Sequence, residues 1–213
     1  MFLSILKVSA SLRLNLLPDS GKRLNSSTLI NEINRKGDCM RMAWGISGAG
    51  HLLKESVEVI EKLSERHEIK IFLSRAGEEV AKMYHVLDRI ERFPLVKESR
   101  QDFSFPSCGA FNLRKFDVFI ISPATSNTIA KIRLGIADSL LSCCASQALK
   151  SRIPLILIPT DSKPIIETRA PNGQIFKIYV RKVDLEHLEA LKEEGVIILE
   201  HPYEVEKALE RFL

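Results

Sequence analysis

Leu52, Leu53, Val57, Ile60 and Leu63 recur at steps of three and four residues, and this spacing predicts an amphipathic helix. On either side stand apolar runs too short to be helices. MRMAWGIS, from Met40, and EIKIFLS, from Glu68, read as strands, the first running into Gly45, Gly48 and Gly50 and the second ending at Ser74. AGEEVAKMYHVL predicts a second helix through Val80, Met83 or Tyr84, and Leu87. FDVFIIS is a third strand, and the alanine- and leucine-bearing segment after it begins another helix. IPLILIP is a fourth strand, apolar throughout, as expected where both faces of a sheet are covered. The tail predicts a helix near 183–194, a short strand VIIL, and a last helix containing Val205, Leu209 and Phe212. Two stretches break the rhythm. Phe93 to Leu113 is irregular, with two prolines and Gly109, and Pro171-Asn172-Gly173 is a turn signal between strand-like runs.

Alternating strands and helices predict an α/β fold: a doubly wound, mostly parallel sheet with helices on both faces and right-handed crossovers. Such sheets bind ligands at the carboxyl ends of strands, where successive connections leave toward opposite faces. Three loops fall there: the glycine loop after the first strand, Ser74 after the second, and Pro123–Thr128 after the third.

The first 39 residues do not share this rhythm. They carry a short apolar start and then a Ser-, Asn- and Lys-rich stretch, and Lys7 lies inside the apolar run instead of before it, unlike a secretory leader. Residues 1–39 are expected to be a disordered extension or an upstream start, with Met40 and Met42 just before the first strand. Residues 40–213 are then one ligand-binding domain. The net charge of +4 changes meaning once located: residues 1–39 hold six basic against three acidic residues, so the body is nearly neutral. A nucleic-acid footprint is not supported. With 45% hydrophobic residues the chain can bury one full core, and no apolar run approaches the ~20 residues that span a bilayer. Cys39, Cys108, Cys143 and Cys144 form no CxxC and no His/Cys ladder, so a zinc or iron–sulfur site is not expected and a reducing cytoplasm is.

GISGAGH has the order G-x-x-G-x-G, not the dinucleotide fingerprint G-x-G-x-x-G. It reads equally as an anion loop, with backbone N–H groups at a helix start, or as a tight turn needing positive φ. The second strand ends in Ser74-Arg75 where an NAD protein carries an acid; Arg75 reads either as a partner for a 2′-phosphate or as a solvated side chain. Thr125, Ser126, Asn127 and Thr128 crowd the third strand's end, and a helix cap accounts for only one of them. Hydroxyls and an amide can donate to phosphate and ring oxygens without adding charge.

Together GISGAG, Ser74 and PATSNTIAK followed by GIAD resemble the flavin-binding family of the cysteine-type decarboxylases and flavin prenyltransferases, over the chain from about Met40 onward. AWGISGAGH, FLSRAGEEV and FDVFIISPATSNT are most similar to the archaeal branch, the archaeoflavoproteins and dihydromethanopterin reductases (acceptor). The resemblance implies a Rossmann-like fold, FMN as cofactor, and trimers with the flavin near subunit contacts. By matching position it implies that Ser47, Gly48, Ala49 and Gly50 line the phosphate or ribityl chain. It places Ser74 on the phosphate, and Ala124, Thr125, Ser126, Asn127 and Thr128 around the phosphate and ring edge. Asp161 is expected either at the flavin or substrate, or as a turn residue before Pro164.

The departures narrow the activity. Asp117 matches the aspartate that opens the decarboxylases' third strand, but their preceding histidine falls within CGAFNL, which has none. Their Pro-x-Met-Asn is Pro159-Thr160-Asp161-Ser162 here, so decarboxylation is disfavoured. The prenyltransferases' arginine and glutamate after the same strand are Thr160 and Asp161, which weakens that activity without removing it. The reading is an FMN-dependent oxidoreductase similar to dihydromethanopterin reductase. It would draw electrons from a separate donor, a ferredoxin or reduced nicotinamide, and act on a pterin. The alternatives are an electron-transfer flavoprotein without pterin turnover and a flavin prenyltransferase. No catalytic acid is assigned.

Overall fold

The structure, a computed structural model, describes residues 39–102 and 104–212. The expected extension 1–39 lies outside the described residues except for Cys39. Strand β1 (Arg41–Ile46) lies at the middle of a six-stranded parallel sheet. Helix α1 (Leu53–Leu63) leads to β2 (Glu68–Leu73), and α2 (Arg75–Met83) and the one-turn α3 (Leu87–Ile90) lead to β3 (Leu95–Lys97). The one-turn α4 (Gly109–Asn112) precedes β4 (Val118–Ala124). Helices α5 (Ser126–Arg133) and α6 (Leu140–Lys150) follow, then β5 (Leu155–Pro159). Strands β6 (Ile165–Arg169) and β7 (Ile175–Tyr179) form a separate antiparallel pair. Helix α7 (Lys182–Glu193), β8 (Ile197–Ile198) and α8 (Val205–Leu209) complete the described chain.

The sheet order is β3-β2-β1-β4-β5-β8, the doubly wound arrangement expected from the sequence. Connections from β1 step one way and those from β4 the other, so the switch point lies between the carboxyl ends of β1 and β4. Alternation along the strands explains why both faces are buried. Met42, Trp44 and Ile46 pack with Val57 and Ile60 of α1 and Val205 and Leu209 of α8. Ala43, Phe119 and Ile121 pack with Leu140, Leu141 and Cys144 of α6 and Leu188 and Leu191 of α7. On that second side Phe72, Phe111, Phe116 and Phe119 form an aromatic cluster with ring centroids 4.9–6.2 Å apart. Among the described residues, no helix is long and apolar enough to cross a membrane.

Local expectations differ in four places. The helix expected to continue through Leu87 stops at Met83, because His85 adopts φ 56° and turns the chain before α3. The stretch expected to be irregular contains β3, an edge strand of three residues, too short to display a period. The segment after β4 is two helices, separated by a turn at Gly135 with φ 70°. In the glycine loop the left-handed residue is Leu52, φ 63°, while Gly45, Gly48 and Gly50 are not at positive φ.

Candidate functional site

Ser47, at the end of β1, ties the switch point together. It is 2% exposed; its hydroxyl donates to the Pro123 carbonyl at 2.7 Å and accepts from the Thr125 N–H at 2.9 Å. Pro123, inside β4, has no N–H to give the sheet, and the β4–β5 pairing shifts register between Ile121 and Ala124. Its carbonyl is satisfied by Ser47 instead, also through the Ser47 N–H at 3.2 Å. Beneath, Trp44 donates from Nε1 to the Ser122 carbonyl at 2.9 Å, and the Ser56 and Ser122 hydroxyls pair at 2.7 Å. The polar end of β4 is thus anchored by buried bonds before any ligand is considered.

The glycines are required by close approach. A Cβ on Gly48 would lie 2.5 Å from Cβ of Ala76, so this residue lets α2 start against the loop. A Cβ on Gly50 would lie 2.1 Å from Cζ of Tyr84, whose ring presses on the backbone there. The helix starts are capped from within. Ser74 Oγ accepts from the Gly77 N–H at 2.9 Å, and Thr125 Oγ1 accepts from the Thr128 N–H at 3.4 Å. Glu98 receives the first N–H groups of two helices, Arg75 of α2 at 2.8 Å and Leu140 of α6 at 2.9 Å, where helix dipoles favour a carboxylate.

These elements surround a cleft of about 470 Å³, lined by Ser47, Gly48, Ser74, Arg75, Asn127 and Thr128 among others, within the size range of small-molecule sites. Asn127 is exposed and its amide makes no hydrogen bond within the described residues. The N–H groups of Ser126 and Asn127, in the first turn of α5, have no intrahelical acceptor. The Arg75 guanidinium has no ion pair among the described residues, whereas Lys131 is matched by Asp138 at 2.8 Å. What remains for a ligand is therefore a set of N–H donors, the Asn127 amide and the Arg75 guanidinium, groups suited to an anionic headgroup, together with the exposed carboxylate of Glu79.

Of the residues the sequence singled out, Ser47, Gly48, Ser74, Thr125, Asn127 and Thr128 line this cleft. Ala49, Gly50 and Asp161 instead line an adjoining hollow under the β6–β7 hairpin. Ser126 donates its hydroxyl to Asp161 Oδ2, which also accepts from Thr160 Oγ1 at 3.2 Å. Ala124 is buried, and its carbonyl accepts from the Thr160 N–H at 3.0 Å, which sets β5 and Asp161 against β4. Glu98, Tyr84 and Thr168 carry no motif, and sequence reasoning passed over them.

The family model described as Flavoprotein matches residues 30–210. The chain belongs to the Flavoprotein family. Within this family it is similar to the dihydromethanopterin reductase (acceptor) of Methanocaldococcus jannaschii, with 33% identity over 80% of this chain and 96% of that protein. It is also similar to the flavin prenyltransferase UbiX of Thermoplasma acidophilum, with 31% identity over 75% of this chain and 78% of that protein. Among solved structures, Burkholderia xenovorans DmrB in complex with FMN, described as a cubic protein cage for redox transfer, matches with a TM-score of 0.71 and 31% identity, covering 81% of this chain and 94% of that one. The resemblance read from GISGAG and PATSNT thus names the right family, and the Flavoprotein fold accounts for the doubly wound sheet.

Proposed function

We propose that this chain is an FMN-dependent oxidoreductase that passes electrons from a separate donor to a pterin-type acceptor. The observation that carries this reading is the cleft at the β1–β4 switch point, where unpaired N–H donors, the Asn127 amide and Arg75 converge. Those groups fit FMN. The first-turn N–H groups of α5, Asn127 and Arg75 would hold the phosphate, and the Ser74 hydroxyl keeps its own proton to donate after capping Gly77. Ser47 to Gly50 and Ala124 to Thr128 would flank the ribityl chain and ring.

FMN supplies hydride and single-electron chemistry when bound, and the protein binds and orients it. Ser47 keeps the glycine loop and the α5 start in register. Glu98 holds the starts of α2 and α6, so that two cleft walls keep their spacing. The acceptor is supported by similarity to a dihydromethanopterin reductase, and the redox role by similarity to DmrB. A ferredoxin or reduced nicotinamide is the proposed donor, in the cytoplasm. The chain would act as a homo-oligomer, with trimeric contacts as the finer proposal. The exposed Leu134, Ile136 and Leu149, near an apolar hollow at the α5–α6 turn, support association of copies.

Reconstitution with FMN followed by an absorption spectrum tests the cofactor. Flavin bands that persist through desalting are expected, and a colourless protein overturns the reading. Pre-reduced protein is then mixed with dihydromethanopterin. Oxidation of the flavin at the expense of the pterin is expected. Rapid reduction by ferredoxin with no pterin turnover would leave an electron carrier, and a prenylated flavin formed from a prenyl phosphate would make the chain a prenyltransferase.

A further inference from the structure

Three of the four cysteines gather at α6, the helix whose first turn walls the cleft. Cys108 ends the short 3₁₀ turn Pro106–Cys108 just before α4, and Cys143 and Cys144 are successive residues of α6. The Cys108 and Cys144 sulfurs lie 3.0 Å apart, so a shift of about 1 Å brings them to bonding distance. Both are buried in the cluster that contains Phe111, Leu140 and Leu141, and the half-buried Cys143 packs against it. Cys108 also lies 3.7 Å from the Leu140 carbonyl, and Glu98 holds the N–H of that same residue. Flavin binding and electron transfer, as read above, use none of these thiols.

The three sulfurs are not equivalent. The hydrogen bond from Cys144 draws the Cys108 thiol below its ordinary value; burial opposes this, and a bond from Cys143 adds to it. Burial pushes Cys144 well above the ordinary thiol value, and Cys108, Cys143 and Glu98 push the same way. Cys144 therefore remains the proton donor, and Cys108 is the sulfur readier to ionise and attack. Cys143 and Cys144 point about 100° apart around the helix axis, which disfavours a bond between them. A Cβ built on Gly109 would meet no atom within 4 Å, so the turn carrying Cys108 is open on that flank. Hydrogen peroxide is small and uncharged, and a local opening of this three-residue turn admits it.

We propose that Cys108 and Cys144 are a redox-active pair, closed to a disulfide by hydrogen peroxide, that locks the Pro106–Cys108 turn onto the helix walling the cleft. Reduced flavins release this oxidant when they meet oxygen, although the pairing itself does not depend on the cofactor reading. The Cys108 thiolate attacks one peroxide oxygen; the O–O bond breaks, and hydroxide leaves and takes up a proton as water. The Cys144 sulfur then attacks the sulfenic sulfur of Cys108; the S–O bond breaks, and a second water leaves with the Cys144 proton. Two thiols lose two electrons in all, and one peroxide becomes two waters. The new bond spans 36 residues of sequence and restricts the unfolded chain, so the oxidised protein resists unfolding.

The test uses the full chain, reduced with a phosphine, desalted without oxygen and treated with a small excess of hydrogen peroxide in native buffer. Iodoacetamide in denaturant then counts the thiols, and peptide mass spectrometry without reduction locates any bridge. Free thiols are expected to fall from four to two, with residues 101–114 joined to residues 134–150. The urea midpoint should rise on oxidation and return when dithiothreitol is added. Cys143→Ala should keep the bridge, whereas Cys108→Ser and Cys144→Ser should each abolish it. The wild-type peptide map decides the matter even if a core variant fails to fold. Four thiols still alkylated after peroxide, or sulfinic acid at Cys108 without a bridge, would overturn the proposal. So would a bridge lost in Cys143→Ala, or one that forms only when urea is present during oxidation.

Discussion

The Ser47 hydroxyl accepts the Thr125 N–H at 2.9 Å and so joins the loop after β1 to the cap of α5, across 78 residues of sequence. The same hydroxyl donates to Pro123, so its removal leaves the Thr125 N–H without its partner and the Pro123 carbonyl with only the Ser47 N–H. Ser47→Ala is expected to cost about 1–3 kcal/mol in stability, since the loss of one partner exposes the desolvation cost of the other. Urea unfolding reads this directly. FMN affinity should fall with it because both cleft walls loosen, and an unchanged unfolding midpoint would contradict the bridging role.

Asn127 and Thr125 separate ligand binding from helix capping. Asn127 has no internal bond to lose, whereas Thr125 caps α5 through Thr128. Asn127→Ala should leave the melting temperature unchanged and weaken FMN binding by about 1.5–3 kcal/mol, the range for a hydrogen bond to a charged group. Thr125→Ala should lower stability by about 1 kcal/mol through loss of the cap. If Asn127→Ala lowers only the melting temperature, the residue belongs to the helix and not to a ligand.

Gly48 tests whether the glycine loop is shaped by a neighbour or by the ligand alone. Its absent Cβ makes room for Ala76 at the start of α2. Gly48→Ala is expected to destabilise by about 1–3 kcal/mol through overpacking. Adding Ala76→Gly removes the atom that would be struck and should recover part of the loss, measured by a double-mutant cycle. Strict additivity of the two changes would show that the contact does not govern the loop.

Apolar run length made the sheet legible: the short apolar runs in MRMAWGIS and IPLILIP both reflect strands buried on two faces. The cleft was legible only where its residues sit at strand ends, as Ser47, Ser74 and Thr125 do. Glu98 follows a three-residue edge strand and reaches its helix starts across the fold, so no local spacing announces it. Gly48 and Gly50 suggested positive φ, but what they provide is absent volume against Ala76 and Tyr84, residues remote in the sequence pattern. The hairpin's turn was visible in Pro171-Asn172-Gly173, while its inward face depends on a partner loop and was not.

The four cysteines should differ sharply in reactivity. Cys39 is exposed, whereas Cys108 and Cys144 are buried with sulfurs 3.0 Å apart. Burial pushes the Cys143 thiol up to about 11, so little thiolate exists near neutral pH. Iodoacetamide on native protein at pH 7.5 should label Cys39 and leave the other three largely unmodified until denaturant is added. Peptide mass spectrometry distinguishes them, and rapid labelling of Cys144 would contradict its burial on the core-facing side of α6.

Glu78 of α2 carries the clearest acid dependence. The Lys97 ammonium at 2.9 Å, with the Ser99 hydroxyl at 2.8 Å, holds its carboxyl down to about 2. Lys97 is itself raised, first by Glu91 and then by Glu78, and its side chain is 9% exposed, so the pair pins α2 to β3 with little solvent screening. The folded value of Glu78 lies below the unfolded one, so the native state holds its proton less tightly. The contribution is therefore full above the ordinary carboxyl value and disappears as pH falls through about 2. Glu78→Gln should lower stability by roughly 1–3 kcal/mol at pH 7. The gap to wild type should hold down to about pH 4.5 and close as pH approaches 2, because protonation then removes the same charge from the wild type. Urea midpoints of both proteins across that range provide the comparison, and a gap independent of pH would assign the loss to packing instead of the ion pair.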